Sequence, residues 1–197
     1  MLENLLKLVK EHAGDAIINN PAIPNHQNEE AIATTSNSLV GGLQNLLGGG
    51  GIKDVLKLFG EQGGEVNNNH PVVQNLSGNV IQDLMKKFNL DQGAASNIAG
   101  GLVPNVLQNL VNKTKDPNDS SFDIQGIFNS LSGGKTSGLN IQGLLGKVTA
   151  GGMLDKDGDG DTDLQDVMVI FSGGGAAKTS NNIGGGILDT VKGLFGG

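Results

Sequence analysis

Residues 76–111 read LSGNVIQDLMKKFNLDQGAASNIAGGLVPNVLQNLV. Ile81, Leu84, Met85 and Phe88 fall at i, i+3, i+4 and i+7, which lines apolar side chains along one face of a helix. Val103, Val106, Leu107 and Leu110 repeat the spacing. Between the two sets, NLDQGAAS supplies a turn and a helix start. The AGG ahead of Pro104 reads as a break, and Pro104, with a fixed φ and no N–H, opens the helix that follows. No alternation or β-branched run suggests a strand. This stretch decides for helices.

The pattern continues outward. Leu2, Leu5, Leu6 and Val9 share the spacing, as do Ile52, Val55, Leu56 and Phe59. A longer helix carries Ile32, Leu39, Leu43 and Leu46 and is entered through Glu29 and Glu30, which suit the positive end of a helix dipole. Pro71 sits in the first turn of another. The stops LLGGGG, FGEQGG, LSGG and TAGG place Gly where left-handed C-caps are wanted. IQGIFNSLSGG (from Ile124) and IQGLLGKVTAGG (from Ile141) are close copies of one unit, and LVGGLQNLLGGGG and GGGILDTVKGLFGG are looser ones. Four unequally spaced copies are too few for a solenoid, so they read as one local solution used several times. Such short helices are marginal alone and must pack. The predicted fold class is all-α: an array of short amphipathic helices with Gly-rich caps, plus a C-terminal calcium-loop segment.

Three segments follow. Residues 1–132 form a helical domain in which NNPAIPNHQNEE is a polar loop and NKTKDPNDSS closes a five-helix region. Residues 133–172 hold a short helix and an acidic loop. Residues 173–197 are a Gly-rich linker and a terminal amphipathic helix.

Composition narrows the function. There are 33 Gly, six Phe, no Trp and no Tyr in 197 residues, so the core must be aliphatic and is expected to be modest. All 13 basic residues are Lys and the net charge is −7, which argues against nucleic acid as a partner. The absence of Cys removes disulfides and thiolate chemistry. Charged residues at Glu3, Lys7, Lys10 and Glu11 leave no signal-peptide core. No apolar run reaches membrane-span length. A cytoplasmic location is expected.

Residues 1–131, through LLKLV, GGIKDVLKLFGEQGG and the stretch quoted at the outset, resemble the YidB-like family, a bacterial domain of unknown function. The resemblance implies an all-α cytoplasmic fold and carries no activity and no functional residues.

The chemistry is concentrated in LDKDGDGDTDLQDV, residues 154–167, with six of the chain's 20 acidic residues. Counting from Asp155, side-chain oxygens fall at positions 1 (Asp155), 3 (Asp157) and 5 (Asp159). Gly160 is at position 6, where a twelve-residue calcium loop turns sharply. Asp161 at position 7 would ligate through its carbonyl, Asp163 at position 9 directly or through water, and Asp166 closes the loop at position 12. This is EF-hand spacing with Asp in place of the usual terminal Glu. Hard oxygen donors suit Ca²⁺, with Mg²⁺ as competitor, rather than Zn²⁺. The terminal Asp and the Gly-Gly break before Met153 resemble dockerin calcium loops, which come in pairs where this one is single. Asp166 is one methylene short and Thr162 replaces the usual aliphatic at position 8. The expected affinity is therefore weak, roughly 10⁻⁵–10⁻³ M. In a cytoplasm such a loop would be mostly empty of Ca²⁺ and could hold Mg²⁺, unless packing strengthens it or the protein meets high calcium after export.

Other motifs carry less. His12, His26 and His70 lack partners at ligand spacing. SGGKTSG, residues 132–138, has Gly-Lys-Thr but Asn129 where a phosphate loop needs its first Gly, and it reads as a linker. No nucleophile elbow accompanies any Ser. The terminal helix, with Ile187, Leu188, Val191, Leu194 and Phe195 on one face and Lys192 beside Asp189, lacks the basic face of a membrane-surface helix. The reading is a non-enzymatic calcium-binding helical protein. The alternative is a self-associating structural protein whose metal only clips local structure.

Overall fold

The computed structural model describes residues 2–49, 51–60, 66–116 and 119–149. Of these, 79% are helical, and among the described residues there is no strand. Seven α-helices follow in order: α1 Leu2–His12, α2 Asn28–Gly48, α3 Ile52–Gly60, α4 Pro71–Phe88, α5 Gln92–Lys115, α6 Ile124–Leu131 and α7 Ile141–Thr149. A π-turn at Gly14–Ile18 and 3₁₀ turns at Asn25–Gln27 and Ser120–Phe122 connect them.

Helices α1, α2, α4 and α5 form a closed ring in which each packs on the next and α5 returns to α1. Helix α3 packs across α2, α4 and α5, and α6 and α7 pack on α2 and α3 respectively and on each other. One continuous core runs through the molecule from Leu5 to Leu144. It is aliphatic, as the composition requires, with Phe59 and Phe128 meeting edge to face at 5.8 Å between ring centres. Burial of the i, i+3, i+4 faces drives this packing, because helices of 8 to 11 residues such as α1, α3, α6 and α7 have little stability of their own.

The starts agree with their sequence signals. α2 carries Glu29 and Glu30 in its first turn. α4 begins at Pro71, with His70 Nδ1 accepting the Val72 N–H at 3.2 Å. α5 is capped by Asp91, whose Oδ1 accepts the Ala94 N–H at 2.9 Å.

Three expectations are corrected. α5 does not break at AGG and restart at Pro104 but runs unbroken for 24 residues with the proline inside. Leu102, Val103, Val106 and Leu107 are all buried on its inner face, and that continuous burial outweighs one lost N–H. The neighbouring Gly101 carbonyl accepts the Asn105 side-chain amide at 2.7 Å. At the LLGGGG stop Gly49 has φ −121°, and Gly51 N–H reaches back five residues to the Leu46 carbonyl at 2.8 Å, the 6→1 bond typical of a glycine-capped helix end, before α3 begins. α4 ends on a left-handed Asn89 (φ 52°), while LSGG behaves as expected, with Gly133 and Gly134 at φ 63° and 89°.

Second, the loop joining α1 to α2 is not simply polar, because Ile23 is buried in the core. Third, SGGKTSG is a packed turn rather than a linker. Thr136 is fully buried, its N–H donates to Ser132 Oγ at 3.1 Å, and its carbonyl accepts from Gln125 Nε2 at 3.1 Å.

Candidate functional site

The six loop carboxylates, Asp155, Asp157, Asp159, Asp161, Asp163 and Asp166, lie outside the described residues, as does the terminal amphipathic helix. Among the described residues no group of three or more His, Asp or Glu side chains is placed to hold a metal ion. What the structure does describe is the helix that leads towards the loop, and how it is fixed.

α6 and α7 start alike. Asp123 Oδ2 accepts the Gly126 N–H at 2.8 Å, and Asn140 Oδ1 accepts the Gly143 N–H at 2.9 Å. In both, the cap is followed by Ile-Gln-Gly. Gln125, in the first copy, spans both units. Its Nε2 donates to the Thr136 carbonyl, and its Oε1 accepts the Ile141 N–H at 3.1 Å. One amide therefore fixes the turn and satisfies an N-terminal donor of α7 that would otherwise lack a partner. With Ile141 and Leu144 buried against the core, α7 is held in place.

A similar residue order recurs in the sequence of the acidic loop, where Asp163-Leu164-Gln165 repeats an Asp or Asn, an aliphatic and a Gln. Sequence reasoning matched the first two units by their Gly-Gly ends and passed over this third. The signal was this three-residue order rather than the stop.

A cavity of about 720 Å³ opens beside α7, lined by Phe59, Phe122, Asp116, Asp119, Asp123 and Gln142 among others. Its acidity is locally compensated. Lys113 Nζ lies 3.3 Å from Asp119 Oδ2 and 5.2 Å over the Phe122 ring. Burial alone would raise the Asp119 carboxyl, but the Ser121 backbone N–H, with Lys113 and the Ser121 hydroxyl, outweighs it and holds Asp119 below the ordinary carboxylate value.

The remaining motifs resolve into structure. His70 is a helix cap, His12 ends a helix and His26 lies within a 3₁₀ turn, and Gly134-Lys135-Thr136 is part of the packed turn rather than a phosphate cradle. Among the described residues, no helix is long and apolar enough to cross a membrane. The large apolar side chains exposed there are Leu6 and Ile18.

No family model matches the chain, and neither the curated proteins nor the solved structures contain a match to it.

Proposed function

We propose that the protein is a non-enzymatic helical protein that binds one divalent cation, Ca²⁺ with Mg²⁺ as competitor, through Asp155, Asp157, Asp159, Asp161, Asp163 and Asp166. The observation that carries the reading is the alternation of carboxylates around Gly160 at the sixth loop position. This donor set, all hard oxygens with no His or Cys, fits Ca²⁺ and Mg²⁺ and not a softer metal.

The caps of α6 and α7 lend further support. Asp163 stands where Asp123 and Asn140 stand, so a helix start at the ninth loop position is consistent with the chain's own habit. The role of the cation is structural or regulatory: it neutralises part of the loop's charge and fixes the residues on either side. The likeness of residues 1–131 to the YidB-like family belongs to the same proposal and is supported by the all-helical body.

The second reading, self-association, has less support, because the body covers nearly all its large apolar side chains within one chain. Calorimetric titration of metal-stripped protein with Ca²⁺, with and without Mg²⁺, tests the first reading beside Asp159→Ala. A single site that is lost in the variant is expected. No heat and no change in melting temperature overturns it. Light scattering with and without chelator tests the second: a monomer in both conditions removes it.

A further inference from the structure

Helices α2 and α4 are polar where they face solvent side by side. On α2, Thr34, Asn37, Ser38, Gly41, Gly42 and Asn45 follow one helical face, and on α4 so do Asn79, Gln82, Asp83 and Lys87. Together they line a groove of about 370 Å³ that contains no aliphatic or aromatic side chain. The groove forms because the two helices come close at Gly42, where an added Cβ would lie 2.4 Å from Leu76 Cδ2 and 2.9 Å from Asn79 Nδ2.

Its charge is nearly balanced. Lys87 is paired with Glu30 at 3.0 Å, and Asp83 accepts a hydrogen bond from Ser38. The remaining capacity is neutral. Among the described residues, the side-chain amides of Asn37, Asn45 and Gln82 make no hydrogen bond, and Asn79 reaches only Asn75, at 3.4 Å. Thr34, more than nine-tenths buried in the groove wall, has a hydroxyl without a partner. An orphaned buried hydroxyl is costly.

We propose that this groove is a binding site for a small neutral saccharide. Each amide offers a donor and an acceptor, which matches adjacent sugar hydroxyls. Anionic ligands find no free partner, since Lys87 is held by Glu30, and apolar ones find no apolar wall. An extended peptide would find no pocket for its side chains. The volume lies at the small end of ligand sites, about 300–1,000 Å³, which suits one or two sugar rings. With no aromatic ring to stack on, affinity is expected on the order of millimolar. The proposal is independent of the metal loop.

Full-length ¹⁵N-labelled protein titrated with N-acetylglucosamine and with trehalose tests it by NMR. Saturable shifts confined to residues 34–45 and 79–87 are expected with at least one probe. Asn45→Ala and Gln82→Ala, both at exposed positions, should each weaken binding by about threefold or more while leaving the melting temperature unchanged. Shifts that stay linear or spread over the whole surface overturn the site. So does undiminished binding in both variants. Saturation by a triglycine probe but by neither sugar would overturn the ligand class.

Discussion

Gly41 and Gly42 are neighbours in the same helix, yet replacing them with Ala should have opposite effects. Ala is favoured over Gly in a helix interior by about 0.8–1.0 kcal/mol. At Gly41 a Cβ meets nothing within 4 Å, so Gly41→Ala should stabilise by most of that amount. At Gly42 the same atom would lie 2.4 Å from Leu76 Cδ2 and 2.9 Å from Asn79 Nδ2. Leu76 is fully buried, so its side chain can yield only by pressing on the core around it, or α2 and α4 must move apart. Overpacking of this kind costs about 1–3 kcal/mol. Setting the propensity gain against it leaves Gly42→Ala destabilised by roughly 0–2 kcal/mol. The two variants should therefore differ by about 1–3 kcal/mol, or several degrees in melting temperature for a chain of this size. Urea unfolding followed by far-UV circular dichroism measures both on one scale, and an unchanged m-value confirms that stability alone has moved. If Gly42→Ala proves as stable as Gly41→Ala, the close approach of α2 and α4 is wrong, and the groove built on it fails as well.

Pro104→Ala should stabilise by about 1–3 kcal/mol, since it restores a donor for the Gly100 carbonyl in a helix that is continuous anyway; thermal melts that show no gain would contradict the unbroken α5. Asp119 contributes stability at pH values above its unfolded pKa of about 3.9, and this is lost as pH falls through its lower folded value. Asp119→Asn should therefore flatten the acid limb of the stability–pH curve while leaving its slope between pH 6 and 8 unchanged, which denaturant melts across pH will show. Asp163→Asn retains a good cap and should keep Ca²⁺ affinity within about tenfold of the parent, whereas Asp159→Asn should lose more; equal losses in calorimetry would make Asp163 a ligand of full weight.

Helix faces were legible because they depend only on spacing within one segment: Leu84 and Leu107 are buried where the period places them. The continuity of α5 was not, because the rule that proline interrupts a helix is local, and the burial that overrides it comes from α1 and α4. Thr136 looked like linker because the groups bonded to it, Gln125 and Ser132, lie eleven and four residues away and are aligned only by the fold. The proposed metal loop is the reverse case: its full donor set falls within twelve residues, so the proposal rests on spacing alone. The groove between α2 and α4 was hidden because Thr34, Asn37 and Asn45 read as a weak patch of helix until α4 lies beside them.

The Asn4 side-chain amide donates to the Ser121 carbonyl at 2.7 Å, across 117 positions in sequence. Closure of the ring by α1 against α5 spans a similar distance along the chain. Until α5 is made, a growing polypeptide emerging from the ribosome would therefore carry α1 with α2 and the turn at Gly14–Ile18 as its main neighbours. Folding should be slow for a helical protein, because contacts of such long separation must be formed at a loop-closure cost before they return any burial. Chains released early, before α5 is complete, would present Leu5, Leu8 and Val9 to any chaperone that recognises apolar helices.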